Sequence, residues 1–290
     1  MLELLRARAW VILHWMRPVV ALFGPVAEER LVFYQHHWYL PHLRHPRTFN
    51  EKICHRKLFK PLPGSELLAD KYAVREFVAG RGYPEILNEV LLVTHNPDEI
   101  DLTSLPREFV VKATHGSGWN MLVANKDEIS RDELMSQCNR WIMSSYGDVH
   151  REFHYNQIRP AIMIEKYLVD NRHGIPIDYR FLVFHGKCRF IVVDYDLTGS
   201  IRRTIYNRNW EPQPFRIKFT QGTIEPRPAK LDKMLEIAET LGQGFDFVRV
   251  DLYSVNDNAI YFGEMTLTPS AGYGRFLPPG KWDNWMGSLW

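Results

Sequence analysis

Two short motifs near the C-terminal end of the chain hold the residues most suited to bind a charged ligand. Arg249 and Asp251 belong to the run 247–253, and Glu264 belongs to the run 259–265. Both runs are rich in β-branched and aromatic residues, and the Asn-Asp-Asn sequence between them is typical of a turn. We therefore predict a hairpin that places Asp251 beside Glu264, with Arg249 on the face of Asp251. Carboxylates so placed are typical ligands of a divalent metal that carries phosphates.

A glycine-rich turn and two lysines provide candidate phosphate contacts. Lys112 ends an apolar run and is followed by the turn His115, Gly116, Ser117 and Gly118. Backbone N–H groups of such a turn approach phosphate oxygens closely, and a nearby lysine adds a point charge. The helix start of a Walker P-loop is missing, so an ordinary turn is the alternative. Lys71 lies near the start of a helical run, where a surface lysine is the alternative.

A further run ends in a polar loop of the kind that recognises adenine through backbone groups. Its candidate residues are Glu165, Lys166, Tyr167 and Leu168. Asp178 follows ten residues later, two before Arg180, and its carboxylate can accept hydrogen bonds from ribose hydroxyls. Taken singly, each of these residues would pass as ordinary charge at a strand end.

The elements that must position these residues can be predicted from periodicity. Residues 49–82 read as helical with a break at 61–64, and 67–78 read as one helix ended by glycines. Ser130 and Glu133 form a capping box that begins a helix up to residue 142. A second amphipathic helix covers 231–241 and ends at Gly242. The predicted strands are 109–114, 121–124, 161–168, 178–185 and 187–195. The mixture favours an α+β fold.

The order of these residues resembles that of the ATP-grasp superfamily, whose relatives include D-alanine–D-alanine ligase. The resemblance covers residues 67–272, and its strongest part is Arg-x-Asp followed by Glu thirteen residues after the Asp. A closer resemblance is to the TupA-like ATP-grasp family, which is associated with teichuronopeptide and other bacterial surface-polysaccharide synthesis. The segments that carry it are 48–52, 68–75, 111–118, 178–181 and 263–270.

The resemblance implies an α+β architecture in which two ATP-grasp subdomains clasp ATP, preceded by an N-terminal helical arm. The expected boundaries are 1–48 for the arm and 49–105 for a pre-grasp segment. Residues 106–168 would form the N-subdomain with its glycine-rich lid, and residues 169–290 the C-subdomain with the metal site.

The resemblance also implies an ADP-forming carboxylate–amine ligase that uses ATP and Mg²⁺. A substrate carboxylate would attack the γ-phosphate to form an acylphosphate, which an amine would then convert to an amide. Arg249 and Lys112 are the implied catalytic residues, and Lys71 joins Lys112 on the phosphates. The implied metal ligands are Asp251, Glu264 and Thr266. Many ATP-grasp enzymes have Asn where this chain has Thr266, which leaves a second metal position open.

The family association suggests a uronic-acid carboxyl of a glycan or its precursor and an amino acid or other amine as substrates. Ser270, Gly272 and Arg275 follow the metal strand and are candidates for holding the acceptor carboxylate. The C-terminal tryptophans either stack on sugar rings or pack against the protein: Trp282, Trp285 and Trp290.

Three alternatives remain open at the level of sequence. Asp194-Tyr195-Asp196 fits the short Asp-x-Asp pattern of metal-dependent glycosyltransferases. An ATP-dependent kinase on the same fold would stop one step short of ligation. A non-catalytic scaffold for glycan assembly is the third alternative.

The net charge and the cysteine content limit the classes of binding partner and the cellular compartment that fit this sequence. A net charge of +2 gives no support for a nucleic-acid binder. The three widely spaced cysteines form no metal or disulfide pattern, which fits a reducing cytoplasm. Residues 9–25 are apolar but interrupted by Arg17 and Pro18, so we expect residues 1–25 to form a helix that lies on the inner membrane surface or packs on the protein.

Overall fold

The structure is a computed structural model that describes the backbone of residues 2–197 and 200–290 and the side chains of residues 10–194 and 201–290. The chain divides into two compact units. The first comprises residues 1–62, 214–219 and 268–290, and the second comprises residues 63–213 and 220–267. Helices and antiparallel sheets together confirm the α+β class. The four predicted domain boundaries stay predictions.

In chain order, the helices are α1 (Leu2–Ala21), α2 (Pro25–His37), α3 (Phe49–Phe59), α4 (Ser65–Ala69), α5 (Val74–Gly80), α6 (Arg131–Ile142), α7 (Gly147–His150), α8 (Leu231–Leu241) and α9 (Lys281–Ser288). The strands are β1 (Val90–Thr94), β2 (Phe109–Ala113), β3 (Asn120–Val123), β4 (Ile162–Lys166), β5 (Ile177–Phe184), β6 (Lys187–Leu197), β7 (Ser200–Asn207), β8 (Arg216–Ile217), β9 (Thr220–Gln221), β10 (Phe247–Val255), β11 (Ala259–Thr266) and β12 (Phe276–Leu277). No helix in the described part of the chain is long and apolar enough to cross a membrane.

The first unit joins the N-terminal helices to the C-terminal segment. A capping box begins α3, because the Thr48 hydroxyl accepts from the Glu51 N–H at 3.1 Å and Glu51 Oε2 accepts from the Thr48 N–H at 3.1 Å. Asp283 on α9 accepts from the backbone and side-chain nitrogens of Asn50, each at 3.0 Å. Strands β8 and β12 pair antiparallel in the same unit. Residues 268–290 are thus fixed to α3 by buried hydrogen bonds.

The second unit contains a four-stranded antiparallel sheet in the order β1-β4-β2-β3. Helix α6 packs its apolar residues on one face, where Leu134 and Trp141 share a core with Phe109 and Val111. The helix begins as predicted, because the Ser130 hydroxyl accepts from the N–H of the third helical residue at 3.1 Å. Strand β2 therefore packs against α6 through this buried core, which also supports the turn after the strand.

A six-stranded sheet in the order β11-β10-β5-β6-β7-β9 completes the second unit. Its pairs are antiparallel, except that β7 and β9 run parallel. Helix α8 packs on β5, β6 and β10, and an added Cβ at Gly242 would lie 2.5 Å from a Val183 methyl. Since strand side chains alternate between faces, the residues flanking Val183 point to the opposite face. That face carries the charged side chains described below.

Two expectations about local structure have clear outcomes. The helix predicted over 67–78 was wrong as one element: α4 ends at Ala69 and α5 begins at Val74. Asp70 interrupts it, because its carboxylate accepts from the backbone N–H groups of Tyr72 at 2.8 Å and Ala73 at 3.2 Å.

The three cysteines are buried free thiols, as expected: Cys54, Cys138 and Cys188.

Candidate active site

The β10–β11 pair brings the two predicted metal carboxylates together. Asp251 and Glu264 are directly opposed, and the register shifts after Asp251 so that Gly263 is an extra residue on β11. A Cβ at Gly263 would lie 3.1 Å from both the Asp251 carbonyl oxygen and a Tyr253 ring carbon. A side chain at Gly263 would therefore be tightly crowded, and the bulge aligns Glu264 with Asp251. The predicted hairpin and the neighbouring carboxylates are confirmed.

Arg249 bridges these carboxylates. Its Nε donates to Asp251 Oδ1 at 2.7 Å, and its Nη2 donates to Asp251 Oδ2 at 2.6 Å and to Glu264 Oε1. Asp251 is only 2% exposed. Thr266 donates its hydroxyl hydrogen to Glu264 Oε1 at 2.8 Å. Thr266 therefore orients Glu264, while its direct role on a metal stays a prediction.

Burial and neighbouring charges give the two carboxyl groups different affinities for protons. Burial, together with the Asp178 and Glu264 charges, raises the pKa of Asp251 to about 8 despite Arg249. Burial would also raise the pKa of Glu264, but Arg249 and Lys71 lower it to about 2. Burial thus shifts Asp251 toward its neutral form, while the neighbouring cations shift Glu264 toward its charged form.

A second arginine continues the charged face across β5. Arg180 donates from Nε to Asp178 Oδ2 at 2.7 Å, and the same nitrogen lies 3.7 Å from Asp251 Oδ2. The other oxygen of Asp178, Oδ1, is buried and has no hydrogen-bond partner in the part of the chain that the structure describes. Asp178 therefore presents an unused acceptor close to Asp251.

The Asp-x-Asp candidate belongs to the same face but is already engaged. Asp194 accepts from Arg203 at 2.6 Å through each of its oxygens, and Oδ2 also accepts from Arg180 at 2.5 Å. Both oxygens of Asp194 therefore accept from Arg203, and one of them also accepts from Arg180. The side chains of Tyr195 and Asp196 lie outside the described residues.

Lys71 ties the glycine-rich turn to this region. Its ammonium donates to the Gly116 carbonyl, and its backbone N–H donates to the Thr114 carbonyl at 3.3 Å. Burial lowers the pKa of Lys71, while the Glu264 charge raises it and the Lys112 charge lowers it. Glu264 and Lys112 therefore each lie within electrostatic reach of Lys71.

Lys112 and Arg75 share Glu165. Lys112 Nζ lies 2.5 Å from Glu165 Oε2, and Arg75 Nη1 lies 3.6 Å from Glu165 Oε1. Arg75 also donates to the Asn88 carbonyl at 2.7 Å. Sequence reasoning did not assign Arg75 to the site, although it ends the segment 68–75 that carries the family resemblance. Its position could not be read from spacing because α5 and β4 meet only through tertiary packing.

The predicted adenine segment retains free backbone groups at its end. Asn88 donates to the Lys166 carbonyl at 2.9 Å, and the Lys166 N–H donates to Glu89 at 3.0 Å. Tyr167 and Leu168 form no backbone hydrogen bond within the described residues. Their backbone groups are thus available to a ligand, and adenine recognition there stays a prediction.

His115 is buried and engaged by contacts with the protein. Its Nε2 lies 2.9 Å from the Trp141 carbonyl, and its ring meets Trp119 edge to face. The following turn keeps glycine for steric reasons, because a Cβ at Gly116 would lie 2.6 Å from the Trp119 ring and Gly118 has φ +71°. The contacts of His115 and Ser117 with ATP stay predictions.

The predicted acceptor residues belong to the first unit. Ser270, Ala271 and Gly272 have φ values of 51°, 52° and 82°, a left-handed run that side chains rarely adopt. Residues of α2 and α3 contact this left-handed run. On α2, the His37 imidazole donates to the Gly272 carbonyl at 2.9 Å. A Cβ at Gly272 would also lie 2.6 Å from Cys54 Sγ. Arg275 Nε is buried without a hydrogen bond among the described residues.

The donor set of the hairpin fits Mg²⁺. No group of three or more His, Cys, Asp or Glu within the described residues forms a ready metal site. Mg²⁺ does not need one, because it is usually held by one or two carboxylates, water and the phosphates of its substrate. Asp251 and Glu264 supply two such carboxylates, and the buried, unpartnered Oδ1 of Asp178 lies nearby.

The second unit thus defines an α+β protein whose two antiparallel sheets carry opposed carboxylates, bridging arginines and a lysine-bound glycine turn. Residues 51–290 match the sequence family described as TupA-like ATPgrasp, and the chain belongs to that family. The family predicted from the sequence motifs is confirmed.

Comparison with solved structures gave resemblances at low identity. The chain is similar to D-alanine–D-alanine ligase from Bacillus anthracis complexed with ATP, with 16% identity, a TM-score of 0.41, and coverage of 71% of this chain and 60% of that one. It is also similar to N5-carboxyaminoimidazole synthetase from Staphylococcus aureus complexed with ADP, with 14% identity, a TM-score of 0.42, and coverage of 69% and 44%. The chain spans roughly half the length of these proteins. Comparison with curated protein sequences found no match.

Proposed function

We propose that the protein is an ATP- and Mg²⁺-dependent carboxylate–amine ligase that joins an amine or amino acid to a uronic-acid carboxyl during bacterial surface-polysaccharide synthesis. The observation that best supports this is Arg249 bridging Asp251 and Glu264, with Lys71 within electrostatic reach of Glu264. Cations that bind phosphate and carboxylates that bind Mg²⁺ are both needed where a triphosphate reacts. The family association supplies the polysaccharide context.

Binding and orientation of ATP would come from residues of the second unit. Lys71 and Lys112 would exchange their present partners, the Gly116 carbonyl and Glu165, for phosphate oxygens. When bound, Mg²⁺ would neutralise phosphate charge, held by Asp251 and Glu264 with Asp178 nearby. Backbone groups of residues 165–168 would receive adenine.

The reaction would proceed through an acylphosphate. A carboxylate oxygen of the uronic acid forms a bond to the γ-phosphorus while the bond to the ADP oxygen breaks. The amine then attacks the acyl carbon, inorganic phosphate leaves, and the amine loses a proton to give a neutral amide. Arg249 would stabilise the charge that grows in both steps, and removing such a donor typically costs roughly 10²–10³ in rate.

Exclusion of water would depend on the glycine turn, because water hydrolyses an acylphosphate. Lys71 donates to the Gly116 carbonyl, so a movement of the turn would change the position of that ammonium. The turn would thus close over the phosphates as a lid while Lys71 acts on both the lid and the nucleotide.

The acceptor carboxylate would bind at residues 270–275. The left-handed run at Ser270 and Ala271 is a strained backbone of the kind found at binding sites, and it begins only four residues after β11. Arg275 provides a guanidinium whose buried Nε lacks a partner in the described structure. Arginine is well suited to hold a carboxylate through two parallel hydrogen bonds.

The experiment that tests this proposal measures phosphate release from ATP and Mg²⁺ in the presence of a hexuronic acid and a panel of amino acids. We expect release only when both substrates are present, with an amide product in the mass spectrum. A phosphorylated uronic acid formed without amine would indicate the alternative kinase, and consumption of a UDP-sugar would indicate a glycosyltransferase. Failure to bind ATP with Mg²⁺ in calorimetry would overturn the proposal.

Loss of an amide-linked substituent from the polysaccharide of a deletion strain would identify both reactants.

A further inference from the structure

Between residues 11 and 19, helix α1 presents an apolar stripe to solvent. Its exposed side chains follow helical spacing: Val11, Ile12, Trp15, Met16 and Val19. At 100° per residue these positions fall within an arc of about 140°. Leu22 and Phe23, in the turn after the helix, extend the stripe and are 84% and 79% exposed. Trp15 is 78% exposed, which is unusual for so large an apolar side chain.

The opposite side of α1 is the one that contacts α2. Arg17 Nε donates to Glu28 Oε1 at 2.6 Å, and Gln35 on α2 donates to the Trp10 carbonyl at 3.3 Å. These contacts fix the rotation of α1 about its axis. The apolar stripe is therefore the side turned away from α2, and it has no partner among the described residues.

We propose that this stripe docks on an anionic lipid surface, with α1 lying parallel to the membrane plane. An arc of about 140° is wider than the two positions in seven that one partner helix covers in a coiled coil, and it suits a helix half immersed at an interface. Trp15 lies on the stripe, and tryptophan prefers the level of the headgroups.

Charge complementarity favours a lipid surface over an apolar protein partner. In α1 the three arginines at 6, 8 and 17 outnumber the single acid Glu3. The acids of α2 are buried and paired, Glu28 with Arg17 and Glu29 with Lys57 at 2.9 Å. Arg30 on the same helix is exposed. The sequence of the α1–α2 segment thus carries an excess of basic charge over unpaired acids, which anionic headgroups attract.

The test is sedimentation of the full chain with vesicles of phosphatidylethanolamine and phosphatidylglycerol, compared with vesicles of phosphatidylcholine alone. We expect binding to the anionic vesicles, weaker binding to the neutral ones, and a decrease with added salt. The variant Trp15→Asp/Val19→Asp should lower the partition coefficient at least about tenfold. Trp15→Gln/Val19→Gln, which uses a better helix former, should act in the same direction.

The matched control is Met143→Asp/Ile224→Asp, which changes two exposed apolar residues outside the stripe, 86% and 67% exposed. It should bind vesicles as the wild type does. Absence of vesicle binding by the wild type, or equal loss in the control, would overturn the proposal. A concentration-dependent dimer that only the stripe variants dissociate would overturn it in favour of a second copy of the chain. ATP turnover plays no part in these measurements, so their outcome is independent of the proposed ligase activity.

Discussion

Glu264 lies directly opposite Asp251, and one guanidinium, that of Arg249, donates hydrogen bonds to both. The two acids nevertheless differ, since the pKa is about 2 for Glu264 and about 8 for Asp251. Burial favours the neutral form of Asp251, whereas Arg249 and Lys71 favour the charged form of Glu264. We infer that Glu264 anchors the cations of the site and that Asp251 completes the metal position when a ligand arrives.

Replacing either acid should remove the proposed activity without unfolding the chain. Asp251→Asn and Glu264→Gln keep the shape of the side chain but remove the charge that Mg²⁺ requires. We expect Mg²⁺-dependent ATP turnover to fall at least about 100-fold in each, in line with removal of a key electrostatic group. Phosphate release measures the loss, and circular dichroism checks the fold. Wild-type turnover in either variant would contradict the site assignment.

The glycine bulge should be equally sensitive for steric reasons. In Gly263→Ala the new methyl would lie 3.1 Å from the Asp251 carbonyl oxygen and a Tyr253 ring carbon. We expect a loss of about 1–3 kcal/mol in the free energy of unfolding, together with reduced ATP turnover. Gly80→Ala is the matched control, because a Cβ there meets nothing within 4 Å at the end of α5. Urea unfolding should show the control unchanged or slightly stabilised; similar losses in both variants would count against the steric argument.

Lys112 should contribute to nucleotide affinity through its charge. Lys112→Met keeps an apolar stem beside Glu165 but leaves phosphate without this cation. We expect the KM for ATP to rise about tenfold, which corresponds to one charge-assisted hydrogen bond. Lys187→Met removes a lysine whose side chain is 67% exposed and should leave the KM unchanged. An equal change in both variants would show that general charge, and not this position, controls affinity.

One variant should show whether the Asp178 carboxylate contacts the metal or the ribose of ATP. Asp178→Asn retains an oxygen but removes the charge that lies near Asp251. Because Oδ1 is buried and unpartnered, we expect Mn²⁺ affinity, measured by paramagnetic resonance, to fall roughly tenfold. Preference for ATP over 2′-deoxy-ATP should not change. A lost preference with unchanged Mn²⁺ affinity would instead confirm the ribose contact expected from sequence.

His37 should make stability depend on pH. Burial lowers its pKa to about 4 from 6.5, so the unfolded chain binds the proton first as the pH falls. Stability is therefore present above pH 6.5 and is lost between 6.5 and about 4. We expect this residue to cost about 2 kcal/mol between pH 7 and pH 5. Urea unfolding of His37→Gln should show a flatter dependence, while His45→Gln, at an exposed position, should follow the wild type.

The hairpin of the site could be predicted because its signals are local. The strands β10 and β11 are rich in β-branched and aromatic residues, and the turn between them is rich in Asn and Asp. The same holds for the Ser130 N-cap of α6 and the apolar face of α8, whose residues are close neighbours along the chain. Such features depend on little beyond the next few residues.

Other features could not be predicted because they arise from tertiary packing. Lys71 was expected in a helix, but Asp70 makes a turn there that directs the lysine to the Gly116 carbonyl. Arg75 reaches Glu165 only because α5 lies near β4. The pairing of Asp283 with Asn50 joins opposite ends of the chain, and no pattern within either segment indicates it.

That last pairing has a consequence for biosynthesis. The first unit is assembled from the earliest and the latest residues of the chain, so α3 lacks its hydrogen-bonding partner until α9 has left the ribosome. Translation at about 5–20 residues per second would leave the N-terminal helices incomplete for many seconds. We expect protease treatment of stalled nascent chains to cut within residues 1–62 until Asp283 emerges, and to spare them afterwards.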